Sequence, residues 1–120
     1  LLEPVSRILG PDFESIRLVE KQNNSIAIIT HQCGTTITLA TTTDATGGAF
    51  RFHFHGQSNY DTVALTDTYT AFRRQLESVV SWMRKESSPI QFDETRKLME
   101  VLIAGRESRN NNGIEISLSS

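Results

Sequence analysis

"ESIRLVEKQNNSIAIITHQ", residues 14–32, decides the fold. Ile16 and Leu18 alternate with Arg17 and Val19, the period-two pattern of a strand with one face in a core. Asn23 and Asn24 mark a tight turn, since asparagine tolerates left-handed backbone. The segment that follows, SIAIITHQ, is β-branched and runs out near Gly34. Two strands joined so tightly must be antiparallel, because a parallel return needs a crossover of about a dozen residues.

The same pattern continues outward. In TTITLATTT, Ile37 and Leu39 alternate with Thr36, Thr38 and Ala40. DATGG reads as a hairpin turn; it lacks the glycine spacing of a phosphate loop and a strand follows it. In AFRFHFHG, Phe50, Phe52 and Phe54 alternate with Arg51, His53 and His55, and YDTVALT supplies a fifth strand. Connections this short predict a meander.

The period then changes. From Asp67 to about Glu86, Tyr69, Phe72, Leu76, Val79, Val80 and Met83 share one helical face, with Arg73, Arg74, Glu77 and Lys85 opposite. Asp67 or Thr68 is positioned to cap this helix, and Ser87-Ser88-Pro89 to end it. Asp93 is expected to cap a second helix with Leu98, Val101, Leu102 and Gly105 inward, the glycine implying a close approach to another backbone. NNNG stops that helix and GIEISLS reads as a last strand. At the front, LLEPVSRILG has helical spacing and ends at Gly10-Pro11.

These elements predict one α+β domain over residues 1–120. Its sheet is open, mostly antiparallel and of about six strands, with two long helices packed on one face and the other face free. That free face would carry Thr36, Thr38, Arg51, His53 and His55. It is polar but poor in lysine and glutamate, which suits a contact surface between subunits. Plain solvent exposure is the alternative.

Composition narrows the function. With 12 basic and 14 acidic residues the net charge is −2, so no strong field invites nucleic acid. No apolar run approaches the roughly 20 residues of a membrane helix. Cys33 is the single cysteine, which excludes an intramolecular disulfide and fits a cytoplasmic setting. A buried structural thiol is the ordinary reading of it; His31 would share its strand face and could serve as a base. His53 and His55 also share a face, but a metal site needs a third ligand, so they are read as polar-face residues and no metal is expected.

The last fifty or so residues carry a resemblance. DTYTAFRRQLESVVSWMRKESSPIQFDETRKLMEVLIAGRESRNNNGIEISL resembles the C-terminal end of the Gfo/Idh/MocA (glucose–fructose oxidoreductase / inositol dehydrogenase) family. There a helix ends in a proline-bearing link, an acid opens the next helix, and a final strand follows. Pro89, Asp93, Ala104, Ser108 and Gly113 stand at those points. HFHGQSNYDTV and LEPVSRILGPDFESIRL resemble earlier steps of the same domain.

The resemblance implies the substrate-binding and dimerisation domain of an NAD(P)-dependent oxidoreductase acting on a sugar, polyol or related compound. NAD or NADP would be held by an N-terminal nucleotide-binding domain outside these residues, and homo-oligomers would form through the open sheet face. No catalytic or cofactor-binding residue is expected here. The family's catalytic lysine lies in an E-K-P motif, whereas Glu20-Lys21 is followed by Gln22, so the role does not transfer. Glu3 matches an acidic position of the family and is the candidate at the rim of a substrate pocket. From the residues alone, a non-catalytic ligand-binding or protein-interaction module stays open as the alternative.

Overall fold

The computed structural model describes residues 2–43, 50–85 and 91–118. The turn expected at DATGG and the helix stop at Ser87-Ser88-Pro89 lie outside them. The element order is α1 (Leu2–Leu9), β1 (Phe13–Lys21), β2 (Asn24–His31), β3 (Thr36–Thr42), β4 (Phe50–His55), β5 (Tyr60–Leu65), α2 (Thr68–Lys85), α3 (Phe92–Asn110) and β6 (Ile116–Ser117). The chain divides into two units. One holds residues 1–44 and 90–120, the other residues 45–89.

The α+β class and the antiparallel pairing stand, but the single six-stranded sheet does not. The described strands form a four-stranded sheet of order β3-β2-β1-β6 and a separate two-stranded sheet, β4-β5. Alternation reveals which residues share a face of one strand. It carries no information on which strands become neighbours, and that is where the expectation failed.

In the first unit, β1 and β2 join through Gln22 and Asn23, with Gln22 in the left-handed region at φ 54°. Register places Ile16 opposite Ile29 and Leu18 opposite Ala27. Across the next pair, Ile29 faces Ile37 and Ala27 faces Leu39. These six side chains therefore lie on one face of the sheet. A β-bulge between Phe13 and Ser15 turns Phe13 onto that same face, where its ring meets His31 edge-on at 5.5 Å.

Helix α3 covers β1 on this face. Its buried residues, Val101, Ala104, Gly105 and Ser108, repeat at i, i+3, i+4 and i+7 and are mostly small. Small side chains let the helix lie close: a methyl group at Gly105 would stand 3.1 Å from Ile16 Cδ1. The close approach inferred for this glycine is real, but it is to the Ile16 and Leu18 side chains rather than to backbone. Of the other residues expected inward, Leu98 is half-buried and Leu102 is 54% exposed.

The caps differ from expectation in one case. Asp67 Oδ1 accepts the backbone N–H of Thr70 at 2.9 Å and so opens α2. Helix α3 starts at Phe92 with Gln91 as a cap that makes no side-chain bond; Asp93 sits within the first turn and pairs with Arg96 at 2.9 Å. The end of α3 follows the left-handed route, with Asn112 at φ 59° and Gly113 at φ 76°. Gly113 also lies so near Val19 that an added Cβ would come within 2.8 Å of its Cγ2.

The second unit holds the β4-β5 hairpin and α2. Phe50, Phe52 and Phe54 share one face of β4, with Phe52 and Phe54 stacked at 6.4 Å. The expected surface pair Arg73–Glu77 forms at 2.9 Å. The apolar face of α2 and the phenylalanines were expected to be interior. Instead Phe72, Leu76, Val79, Val80 and Met83 are each at least 40% exposed, as is Phe50.

Ser108 locks helix to sheet. It is fully buried, accepts the Leu18 N–H at 2.9 Å, and donates to the Ile114 carbonyl. β6 pairs with β1 only at Ser15 and Ile16, so the Leu18 N–H lies beyond that ladder and the serine takes the place of a strand. Ser108→Ala should cost about 1–3 kcal/mol, read as a lower urea midpoint with an unchanged slope.

Candidate functional site

The first unit offers three candidate places. The first is the face of the four-stranded sheet turned away from α3. Register builds it in rows: Val19, Ile26 and Ala40 lie abreast, then Arg17, Ile28 and Thr38, then Ser15, Thr30 and Thr36. Val19, Ile26 and Ile28 are 47%, 48% and 43% exposed. The centre is thus an apolar patch, framed by threonines on β3 and by Arg17 and Lys21 on β1. Thr36 and Thr38 stand where the sequence pattern put them.

Arg51, His53 and His55 do not join them on one sheet. They belong to β4 in the second unit, opposite Ala64, Thr62 and Tyr60. His53 Nδ1 lies 3.0 Å from Thr62 Oγ1. The five residues expected on one face are therefore divided between two sheets. The three missed residues, Val19, Ile26 and Ile28, had a signal. In SIAIIT the β-branched residues occupy both phases of the alternation, so both faces of β2 are apolar.

The second place is a groove of about 610 Å³ in the first unit. Leu18, Ala27 and Leu39 of the sheet form its floor, and Met99 and Leu102 of α3 one wall. α1 contributes Glu3 and Arg7, and Glu94 stands on the α3 side. Glu3 is exposed on the first turn of α1 and stands at the edge of this groove.

The third is the β2-β3 turn. Cys33 was expected to be buried and is exposed. The turn explains this: Gly34 adopts φ 86° and its N–H donates to the His31 carbonyl at 2.8 Å, which throws residue 33 outward. His31 is buried, and its Nδ1 lies 3.0 Å from Cys33 Sγ. Thr35 Oγ1 is 3.2 Å from the same sulfur. Hydrogen bonding with the Thr35 side chain, whose Oγ1 accepts from the thiol, and then with its backbone holds the Cys33 thiol below the usual range.

Among the described residues no three histidine, cysteine or acidic side chains converge as metal ligands, and no helix is long and apolar enough to cross a membrane. No family model, curated protein or solved structure matches the chain. His53 and His55 remain a pair without a third ligand in the described set. One equivalent of zinc should therefore leave the urea midpoint unchanged, whereas a metal bound only by the folded state would raise it by mass action.

Proposed function

We propose that the chain is a substrate-binding and dimerisation domain of an NAD(P)-dependent oxidoreductase. Its own role is association and pocket closure, with the hydride chemistry carried out elsewhere in the parent protein. The observation that carries the association half is the two-faced sheet of the first unit. One face takes α3, and the other exposes Val19, Ile26 and Ile28 together among threonines. A contiguous apolar patch with few charges is the composition of an interface core rather than of a solvated surface. A second copy of the chain is the occupant this reading assigns to it.

The oxidoreductase half rests on the sequence resemblance, whose domain likewise has an open antiparallel sheet. In that reading NAD or NADP binds a separate nucleotide domain, and the α1–α3 groove with Glu3 at its edge faces the sugar or polyol. The same groove supports the second reading, a ligand-binding module without redox chemistry. Its floor is apolar, with polar groups at the margin, as small-molecule sites are.

The association reading is tested by sedimentation velocity. Ile28→Asp places a charge in the centre of the patch and Thr38→Asp one at its border, neither on the α3 face, and both should shift the chain toward monomer. Association indifferent to both would overturn it. The redox reading predicts that the 120-residue chain alone does not oxidise NADH with any sugar or polyol carbonyl; turnover by the isolated chain would refute the division of labour.

A further inference from the structure

The turn that ends α3 holds the one Asn-Gly pair of the chain, Asn112-Gly113, and association and pocket closure leave it unused. We propose that Asn112 is a site of spontaneous deamidation, that the cap of α3 holds the reaction back, and that its isoaspartate product unseats β6 from β1.

The pair has the chemistry. The backbone nitrogen that follows an asparagine can attack the side-chain Cγ, and a glycine at that position leaves the approach unobstructed. Asn23, Asn24, Asn59, Asn110 and Asn111 all precede a residue with a side chain. Asn112 is exposed, and its carboxamide has no hydrogen-bond partner among the described residues. The neighbouring Asn111 differs, since its Nδ2 donates to the Glu107 carbonyl at 2.9 Å.

The fold controls the nucleophile. Gly113 is buried, and its N–H donates to the Ser108 carbonyl at 2.8 Å. Attack requires that nitrogen to lose its proton and turn toward Cγ, so this bond must break first. Gly113 is also pressed against Val19, and the Ile114 carbonyl that follows is held by the Ser108 hydroxyl. The reaction therefore waits on a local opening of the turn.

The step needs only water. The Gly113 nitrogen bonds to Asn112 Cγ and gives up its proton, while the bond from Cγ to the carboxamide nitrogen breaks and ammonia leaves. Water then opens the five-membered succinimide. Attack at the side-chain carbonyl gives aspartate. Attack at the main-chain carbonyl gives isoaspartate, whose backbone is one carbon longer. Aspartate fits position 112, because it tolerates the left-handed backbone found there at φ 59°. The longer backbone does not fit. A carbon added at Gly113 would stand 2.8 Å from Val19 Cγ2 and 3.3 Å from the Leu18 carbonyl oxygen, so the turn has no slack. The displacement passes to Ile114 and on to β6, which holds β1 only at Ser15 and Ile16.

The test follows deamidation in mildly alkaline buffer by peptide mapping, with fragmentation that separates aspartate from isoaspartate. The peptide RNNNGIE should convert about tenfold faster than the folded chain, because only the open fraction of the native turn reacts. Asn112 should carry the modification, and urea below the unfolding transition should raise the native rate. Ser108→Ala, which removes the tie to Ile114, should raise it about threefold. If that variant unfolds, the urea series on the wild-type chain decides in its place. The isoaspartate form, isolated from aged protein, should unfold at a lower urea midpoint than both the wild type and Asn112→Asp. A native rate equal to the peptide's and indifferent to urea, or a folded Ser108→Ala at the wild-type rate, would overturn the proposal. So would modification concentrated at another asparagine, or an isoaspartate form as stable as the wild type.

Discussion

The seating of α3 on β1 is the constraint on which the first unit depends. Four small or β-branched residues at helical spacing bring the helix onto Ile16 and Leu18, and Ser108 bonds to both chain segments beneath it. Every later feature inherits this contact. It decides which face of β1, and through register which face of β2 and β3, is interior. It fixes where the chain leaves the helix, since Gly113 must turn against Val19 for β6 to reach Ser15 and Ile16. Around its margin, Lys97 reaches Asp12 at 2.6 Å and Arg109 reaches Glu20 at 3.3 Å. Exposed pairs of this kind add little energy, but they hold helix and strand in one register.

This contact also explains what was legible in the sequence and what was not. Each strand of the first unit was readable because its alternation is a local property. Helix α3 was readable as a helix, and Val101 and Gly105 of its buried stripe were readable too, but Ala104 and Ser108 were not. The large residues Leu98 and Leu102 drew attention, whereas Ala104 and Ser108 do the close packing. A seam of small residues carries little hydrophobic signal, because its energy comes from close contact and from two hydrogen bonds rather than from area. The bulge at Glu14 is invisible for a similar reason. It moves Phe13 from one face to the other without altering composition.

The candidate sites divide along the same line. The open face was predicted from threonines 36 and 38, which flank it; its apolar centre on β1 and β2 was overlooked because Val19, Ile26 and Ile28 read as ordinary strand formers. Arg51, His53 and His55 were assigned to that face by assuming one continuous sheet, and strand pairing, which no local pattern encodes, separates them. Cys33 was misread from a base rate. Free cysteines are usually buried, but a left-handed glycine at the next position turns this one outward.

The open face and the turn that bears Cys33 share the β2-β3 hairpin. Thr30 and Thr36 pair at the end of the face, and His31 begins the turn that bears Cys33. His31 points to the interior with Ile29, while Thr30 points to the open face, because successive residues of a strand alternate. One strand end thus delivers a buried ring to the underside of the turn and the border of the apolar patch to solvent.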